Sequence, residues 1–542
     1  MAIDNSSGIE SETNTNDVNR PLFGRGLLQS ISIVSLMTLL SRILGLVRDV
    51  VFARFFGATI VMDAFLIANR IPNMLRRFFA EGAFSQGFVP IMVSYREKCD
   101  QDETKQLVDA VAGTLGLILF LITLVGVIAA PILVAIIAPG FIGTDGRFDL
   151  TTAMLRFTFP YFFFISLTAF AGGILNTYGR FGAPAFTPVI LNVVLIAAAL
   201  WLAPNLAEPG MALAYAVLVA GIVQLLFQIP FLSRINAVPR PRWQPGHPGV
   251  KRIVKLVLPA IFGSSVAQIN ILLSGIIASL LGVGKISLLY FSDRLMEFPL
   301  GLFGIAFATV TLPYLSRQHA NESHREFAKI IDWSMKLVLL IAVPAAIGLI
   351  ILAEPLVATI FYGGEFTVFD LRMTALALQA FALGLIGFSY VKILAPAYFA
   401  RENTRTPVRF GLIALAVNFL LSVTLAYILT QAEYEGTHAG LALAISTSAI
   451  LNAWLLYRGL RCDGVISHSS GWCKLFIQVV GATLAMIICL VYMAKPLDWW
   501  ISTSVLERSI LLVANVVGGM VVYFVGLLVL GLRPTNLKLR SE

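Results

Sequence analysis

Hydrophobic residues occupy long uninterrupted stretches of this chain, and the polar stretches between them are short. Runs of about 20 mostly apolar residues, the length that crosses a hydrocarbon core of about 30 Å, recur from Leu27 almost to the C-terminus. About fourteen runs meet this length criterion. Because a backbone in lipid must satisfy its own hydrogen bonds, the pattern predicts an all-α polytopic membrane protein with about 14 transmembrane helices.

Two polar stretches divide this pattern. The first 26 residues are polar and acidic, which predicts a disordered tail. The stretch from Ser233 to Arg252 is rich in Pro and Arg and lacks apolar periodicity, which predicts a linker. We therefore expect a cytoplasmic tail over residues 1–26, a six-helix N-lobe over 27–236, a cytoplasmic linker over 237–250, a six-helix C-lobe over 251–462, and two extra helices with a short tail over 463–542.

Short motifs recur at matching positions in the two predicted lobes. The motif ANRIPN, which contains Arg70, is matched by SDRLMEFP, which contains Arg294, 224 positions later. The motif AFSQGFVP ends at Pro90 and is matched by AFATVTLP, which ends at Pro313, 223 positions later. An even number of helices per lobe gives both repeats one orientation. The spacing therefore predicts a parallel internal repeat with a site between the lobes.

The charge distribution indicates topology. Hydrophobic residues make up 58% of the chain and charged residues 13%, and the net charge is +9. Lysine and arginine gather in every second connection between apolar runs, and the alternate connections carry almost none. This positive-inside pattern places both termini in the cytoplasm and requires an even number of spans. It explains the basic excess better than nucleic-acid binding does, and we expect no nucleic-acid partner.

Charges inside the apolar runs lie on shared helical faces. In the first run, Arg42 and Asp49 share a face, and Arg48 points about 120° away from Arg42. An ionised side chain at a helix centre costs about 2.5 to 3.5 kcal/mol on insertion scales, so such residues are expected to face one another or an interior cavity. A stripe about 40° wide on the second run holds Asp63, Arg70, Arg77 and Glu81. One turn of the eighth run holds Asp293, Arg294 and Glu297.

Ion pairs that fix helix packing explain part of this set, for example Arg48 with Asp49 and Arg77 with Glu81. A cationic surplus remains, because the arginines outnumber the carboxylates: Arg42, Arg48, Arg54, Arg70, Arg76, Arg77 and Arg294 face Asp49, Asp63, Glu81, Asp293 and Glu297. The planar guanidinium suits bidentate contact with phosphate, so the surplus favours an anionic, phosphorylated substrate. Arg54 fits equally well as a residue near a membrane end that extends toward the surface.

Motifs for catalysis, cofactors and metals are missing from the sequence. The segment GVGK at 282–285 lacks the rest of a phosphate-binding loop, and no glycine-rich dinucleotide fingerprint is found. The 4 cysteines and 5 histidines have no metal-ligand spacing. We expect no catalytic residue, no cofactor, no metal site and no disulfide.

Three segments resemble one known family: SRILGLVRD, DAFLIANRIPNMLRRFFAEGAFSQGFVPI and DRLMEFP. With them, the chain resembles the MurJ (MviN) family of lipid II flippases, in the MOP transporter superfamily, from about Leu27 to Leu532. The resemblance implies a two-lobed transporter of the bacterial cytoplasmic (inner) membrane. It would move lipid II, the undecaprenyl-diphosphate-linked peptidoglycan precursor, from the cytoplasmic to the periplasmic leaflet by alternating access.

The resemblance and the charge pattern together assign roles to residues. The expected substrate-binding residues are Arg42, Arg48, Arg70, Arg76, Ser287 and Arg294. The expected gating or charge-pairing residues are Asp49, Asp63, Glu81, Asp293 and Glu297. The resemblance further implies that the two extra helices form a groove for the lipid tail. Arg70 stands where relatives are expected to carry lysine, and the polar N-terminal extension is longer than is usual in the family.

The expected partners are lipid II and the bilayer, and we expect a monomer. Binding to proteins of cell-wall synthesis or division is left open.

A superfamily exporter of drugs or of another lipid-linked oligosaccharide is the nearest alternative function, but it would carry fewer arginines and usually twelve helices. A membrane enzyme acting on a polyprenyl diphosphate would need clustered carboxylates or a metal site. A structural scaffold would leave the buried arginines unexplained.

Overall fold

The computed structural model describes residues 25–77, 83–143, 146–301, 324–466 and 471–533. Within them, helices and turns account for nearly all regular structure, and one isolated bridge joins Gly363 to Phe366. The first helices are α1 (Arg25–Phe56), α2 (Ile60–Arg76), α3 (Ala83–Lys98), α4 (Gln101–Ile128), α5 (Ala130–Ile137), α6 (Arg147–Thr158), α7 (Tyr161–Thr177), α8 (Gly182–Ala197) and α9 (Met211–Ser233).

The second part of the chain continues with α10 (Pro248–Ser279), α11 (residues 285–301), α12 (His324–Ile351), α13 (Ala353–Ile360), α14 (Val368–Phe399), α15 (Arg405–Gln431), α16 (Thr437–Cys462), α17 (Trp472–Met493), α18 (Leu497–Ser502) and α19 (Val505–Val529). The helices follow from the long apolar runs, because each run satisfies its backbone hydrogen bonds internally.

In the part of the chain that the structure describes, 10 helices are long and apolar enough to cross a membrane. The chain is therefore a helical multi-pass membrane protein, which confirms the predicted fold class. The count of fourteen spans stays a prediction. The remaining long helices, α1, α2, α10 and α11, carry several charges or border on residues outside the described ranges.

The arrangement of helices repeats along the chain. A break at Ala129 separates α4 from α5, and a break at Leu352, 223 positions later, separates α12 from α13. Both α5 and α13 are 8 residues long. Packing repeats as well, because α1 packs on α8 as α10 packs on α15, and α7 packs on α9 as α14 packs on α16. The offset equals that of the motifs ending at Pro90 and Pro313, whereas the domain boundaries themselves stay predictions.

The largest core that the two lobes share lies at one end of the helices. We call this the α1/α2 end, because α1 ends there and α2 begins. One buried apolar cluster at this end includes Phe52 of α1, Phe291 of α11 and Val357 of α13. Toward the other end, the cluster around Phe88 joins α3 to the first turns of α10, and another cluster around Leu394 lies within the C-lobe. We call the shared cluster the hub.

Glycines let the backbones of the two lobes touch at the α1/α2 end. Gly284 has a φ of +78°, and a Cβ there would overlap the carbonyl oxygen of Ala58. Gly364 has a φ of +60°, and a Cβ there would overlap the carbonyl oxygen of Arg54. The backbone N–H of Glu365 donates to that same carbonyl at 2.9 Å. Side chains larger than hydrogen would therefore separate the lobes at this end.

The predicted linker is held against the N-lobe. The buried Asp109 of α4 accepts a hydrogen bond from the backbone N–H of Arg240 at 2.7 Å, and its carbonyl accepts one from the N–H of Arg242 at 3.0 Å. A Cβ at Gly113, one turn further along α4, would overlap the backbone of Arg242. The stretch between α9 and α10 therefore has a defined path, although it lacks a helix.

The last helices pack on the second lobe. The hydroxyl of Tyr523 in α19 donates to the carbonyl of Leu340 in α12 at 2.6 Å, and the side-chain amide of Gln478 in α17 donates to the carbonyl of Leu530 at 2.8 Å. The opposite faces of α17 and α19 are exposed and apolar, as at Ile488. The groove for a lipid tail that the resemblance assigns to these helices stays a prediction.

Candidate functional site

Asp49 is the centre of a charged cluster between the lobes. Its carboxylate is buried, with 3% of the side chain exposed, and it pairs with Arg48 at 2.7 Å and with Arg294 of α11 at 3.4 Å. The hydroxyl of Tyr290 donates to the same carboxylate at 2.8 Å. One acidic residue of α1 thus binds two arginines, one of which comes from the other lobe.

Arg48 uses its remaining donors on neutral groups. It donates to the side-chain oxygen of Asn192 in α8 at 3.1 Å and to the hydroxyl of Tyr290 at 3.0 Å. Asn192 in turn donates to the carbonyl of Ser41 at 3.0 Å, which fixes α8 against α1. Arg48 and Asp49 form the ion pair that the packing interpretation of the sequence predicts, whereas Asn192 and Tyr290 are partners that it missed.

Arg294 is the more open member of the cluster. Its side chain is 36% exposed, and it makes a second ion pair with Glu297, one turn away, at 2.9 Å. The ring of Tyr290 lies 5.0 Å from its guanidinium carbon. The neighbouring Asp293 interacts electrostatically with Glu297, Arg294 and Arg77. Arg48, Asp49, Arg294 and Glu297 therefore form one connected set of ion pairs, in which Arg294 remains partly accessible.

Two further arginines each lie on a glycine of the opposite lobe. The guanidinium of Arg42 lies so close to Gly301 of α11 that a Cβ there would overlap it. The guanidinium of Arg70 lies in the same way on Gly275 of α10 and donates to the carbonyl of Ile271 at 3.5 Å. In each contact, the guanidinium group occupies the space that a Cβ of the glycine would fill. The two glycines therefore make room for the two cations.

Lys392 is a cation of this region that the sequence analysis missed. Its ammonium donates to the carbonyl of Leu300 in α11 at 3.2 Å, and the charged groups that act on it are Glu297 and Arg42. A single lysine in the apolar run FSYVKILAP was the available signal. Lys392 does not belong to any of the motifs that recur in the two lobes, so the sequence pattern did not connect it with the arginines.

Asp63 lies in a different environment from Asp49. Its side chain is fully buried and accepts hydrogen bonds from the backbone N–H of Gly284 at 2.6 Å, from the N–H of Ser287 at 2.9 Å and from the hydroxyl of Ser287 at 2.6 Å. The carboxylate thus caps the start of α11, and its negative charge interacts favourably with the positive N-terminal end of that helix. In this arrangement the buried hydroxyl of Ser287 is used to hold α2 against α11.

The remaining predicted residues of α2 are only partly described. Arg76 donates from Nε to the side-chain oxygen of Asn73 at 2.9 Å. Glu81, a predicted gating residue, lies outside the described residues. Among the residues that the structure describes, no group of three His, Cys, Asp or Glu residues is arranged to hold a metal ion.

The arrangement can bind an anion between two lobes. Arg42, Arg70, Arg294 and Lys392 bring positive charge from α1, α2, α11 and α14 to the interlobe region, and Asp49 and Glu297 compensate only part of it. Paired carboxylates keep the arginines charged and oriented, and an incoming phosphate group can replace a carboxylate as their partner.

The fold places this protein among two-lobed membrane transporters. An inward-facing multidrug resistance MATE family transporter of the MOP superfamily aligns with a TM-score of 0.64, covering 81% of this chain and 98% of its own, at 14% identity, which shows a shared fold. A solved structure described as lipid II flippase MurJ in an inward closed conformation aligns with a TM-score of 0.74 and 26% identity, covering 91% of this chain and 98% of its own.

The sequence comparisons define the family. A Vibrio cholerae protein described as "Probable lipid II flippase MurJ" is 43% identical over 525 residues, which cover 95% of this chain and 98% of the relative. The family model described as lipid II flippase MurJ matches residues 52–511. The chain belongs to the lipid II flippase MurJ family, as the resemblance of its charged motifs predicts.

Proposed function

We propose that this chain is a flippase that moves lipid II across the membrane by alternating access, and that it is not an enzyme. The observation that carries the proposal is the arginine cluster between the lobes, in which Arg48 of one lobe and Arg294 of the other share Asp49. Membership of the MurJ family supports the same substrate.

The diphosphate and sugar head group would bind among the cations between the lobes. We assign Arg42 and Arg294 the main contacts, because Arg42 is exposed, Arg294 is partly exposed, and their guanidinium groups suit bidentate binding of phosphate. Arg48, Arg70, Arg76 and Lys392 would add positive charge around the head group. Ser287 would join them once the lobes separate and its hydroxyl leaves Asp63.

The carboxylates would govern release and closure. Asp49, Asp293 and Glu297 would hold the arginines when no substrate is bound, and the diphosphate would displace them during binding. Asp63 would hold the lobes together at the α1/α2 end, and Glu81 would act in the predicted stripe of α2. Opening of that end requires the loss of three hydrogen bonds to Asp63, which links substrate release to lobe movement.

The positive-inside pattern supports an orientation with both termini in the cytoplasm of a bacterial cell and the α1/α2 end facing the periplasm. The proposed location is the cytoplasmic (inner) membrane, where the chain would act as a monomer beside proteins of cell-wall synthesis or division. The sequence carries no nucleotide-binding motif, and one charge moving through 100 mV supplies about 2.3 kcal/mol, so the membrane potential or an ion gradient is the proposed energy source.

The test is periplasmic exposure of lipid II in cells depleted of their own flippase. This chain should restore exposure, and Arg42→Ala and Arg294→Ala should abolish it while membrane levels of the protein stay normal. Arg461→Ala, which removes an exposed arginine at the end of α16, is the matched control and should keep activity. Wild-type exposure with both site variants would refute the assignment of the head group to these arginines. No exposure from a well-inserted wild-type chain would refute the flippase proposal.

A further inference from the structure

A groove opens on the outer face of the C-lobe, away from the arginine cluster. Its walls are the helix pair α14 and α16 on one side and the start of α17 on the other, and α12 forms its back. Its volume is about 1030 Å³, at the upper end of the sizes of pockets that hold single small molecules. The groove shares no residue with the predicted substrate site.

The groove matches the depth of one membrane leaflet. Along α14 its lining runs from Leu383 to Leu394, which corresponds to about 16 Å of helix. Half of a hydrocarbon core of about 30 Å has nearly the same depth. Leu383, Ile450 and Trp454 are exposed, large and apolar, so the groove is open to lipid along this length. A hydrocarbon chain fits such a lining.

Tight packing sets the floor of the groove. A Cβ at Gly387 of α14 would lie 2.7 Å from the backbone nitrogen of Ile450 in α16, so these two helices are in close contact there. In contrast, α17 packs on α12 and α19 and meets the groove with its first residues, including Trp472. The separation between α17 and the α14/α16 pair therefore creates the opening.

Polar groups gather at one end of the groove, where α17 begins. Asp332 is already satisfied, because it accepts from the indole N–H of Trp472 at 2.8 Å and pairs with Lys336 at 2.7 Å. Lys474 lines the groove and is exposed, and the exposed Arg458 lies over the ring of Trp454 at 5.3 Å. Within the described ranges, no carboxylate pairs with either of these two cations.

The start of α17 adds backbone donors at the same end. Gly471, which lines the groove, precedes the helix with a φ of +98° and offers no side chain to cap it. Within the part of the chain that the structure describes, the first N–H groups of α17 have no side-chain acceptor, and they favour an anion in addition to the two cations.

We propose that this groove binds one anionic phospholipid, with its phosphate at Lys474, Arg458 and the start of α17 and an acyl chain along α14. Charge complementarity selects the occupant, because a zwitterionic head group would gain less from two unpaired cations. The bound lipid would bridge α17 to the α14/α16 pair and thereby fasten the last helices to the C-lobe.

Cys473 lies in the lining and is an exposed free thiol, which makes it a direct reporter. The full chain would carry C99S/C462S/C489S and be placed in nanodiscs of phosphatidylcholine with increasing phosphatidylglycerol. The measurement is the rate of labelling by N-ethylmaleimide. The control chain carries C99S/C473S/C489S and reports on Cys462, which is exposed at the end of α16 and does not line the groove.

We expect phosphatidylglycerol to slow labelling of Cys473 and to leave Cys462 unchanged. Arg458→Gln and Lys474→Gln should each raise the half-protecting fraction of phosphatidylglycerol about fivefold, because a cation near an anionic lipid surface contributes about 1 kcal/mol. Arg409→Gln, at the same membrane surface on α15, should leave that fraction unchanged. Rates are compared within each variant, so a direct effect of Lys474 on the neighbouring thiol cancels.

Three results would overturn the proposal. Equal protection in pure phosphatidylcholine would mean that charge does not select the occupant. Fast labelling of Cys473 at every lipid composition would mean that the groove stays empty. Protection by undecaprenyl phosphate, but not by phosphatidylglycerol, would assign the groove to a prenyl chain instead. All three results are independent of transport activity and therefore of the proposed flippase function.

Discussion

Asp49 and Asp63 are both buried between the lobes and both contact α11, but their partners differ in kind. Asp49 binds the guanidinium groups of Arg48 and Arg294, whereas Asp63 accepts hydrogen bonds from Gly284 and Ser287. An arginine can exchange one carboxylate for another anion without a change in the backbone. The N–H groups at the start of α11 can leave Asp63 only if the helices separate.

The difference indicates that one type of residue serves two tasks within a single transporter. The carboxylate of Asp49 pairs with an accessible arginine, which can exchange it for another anion. The carboxylate of Asp63 binds the start of α11, and its hydrogen bonds can form only while the lobes are in contact. Substitution of Asp49 should therefore mainly lower stability, whereas substitution of Asp63 should cost less stability and mainly loosen the contact between the lobes.

Asp49→Asn should have the largest effect on stability. It leaves Arg48 and Arg294 without their shared negative charge in a buried position, and the loss of one partner of a buried pair costs about 3 to 5 kcal/mol. Thermal unfolding of the purified protein measures this loss. Glu97→Gln, which neutralises an exposed carboxylate at the end of α3, should change the melting temperature little. Equal melting temperatures for the two variants would show that Asp49 is dispensable for packing.

Asp63→Asn should cost less, about 1 to 3 kcal/mol, because it replaces one acceptor by a donor that faces the N–H of Gly284. The lobe contact at the α1/α2 end should loosen. Maleimide labelling of Ala58→Cys, placed opposite Gly284, should become faster in the Asp63→Asn background and stay slow in the Asp49→Asn background. Equal labelling in both backgrounds would remove the distinction between the two carboxylates.

Ser287→Ala should have a smaller effect than Asp63→Asn. It removes the hydroxyl donor but leaves the backbone N–H groups of Gly284 and Ser287 in place, so we expect a loss of about 1 kcal/mol. Stability and labelling at Ala58→Cys check this order. A loss of transport with unchanged stability would instead point to a direct contact between Ser287 and substrate.

Gly301→Ala should change stability least and still impair transport. The added Cβ displaces the guanidinium of Arg42, while replacement of glycine by alanine within a helix stabilises by about 0.5 to 1 kcal/mol. Gly348→Ala in α12 is the matched control, because a Cβ there meets nothing within 4 Å. Both variants should melt at or above the wild-type temperature, and lipid II exposure should fall in Gly301→Ala alone. Normal exposure would show that the position of Arg42 is unimportant.

Much of the fold could be predicted from the sequence, because the membrane imposes it. The apolar runs predicted the helices, and the motif pair that ends at Pro90 and Pro313 predicted the offset of 223 positions at which α4/α5 and α12/α13 repeat their breaks. The breaks themselves were not predicted. They fall at Ala129 and Leu352, shortly before Pro131 and Pro355, and a missing backbone N–H at each proline was the available signal.

The sequence predicted which residues belong to the site better than it predicted which partners they contact. Helical spacing placed Arg42, Asp49 and Arg294 in one region, and the pair Arg48 with Asp49 was among the predicted ion pairs. Spacing could not reveal that Asp63 would bind backbone N–H groups, because those donors lie more than 200 positions away. Lys392 and Asn192 were missed for the same reason, since each contacts the site only through tertiary packing.

The hub has a mechanical consequence for the whole molecule. The short helices α5 and α13 both belong to it, and beyond each break extends a helix of 28 residues, about 42 Å long. A rigid arm of that length moves its far end by about 7 Å when it rotates by about 10° at the hub. A small rotation at the hub therefore becomes a displacement of several ångströms at the far ends of α4 and α12.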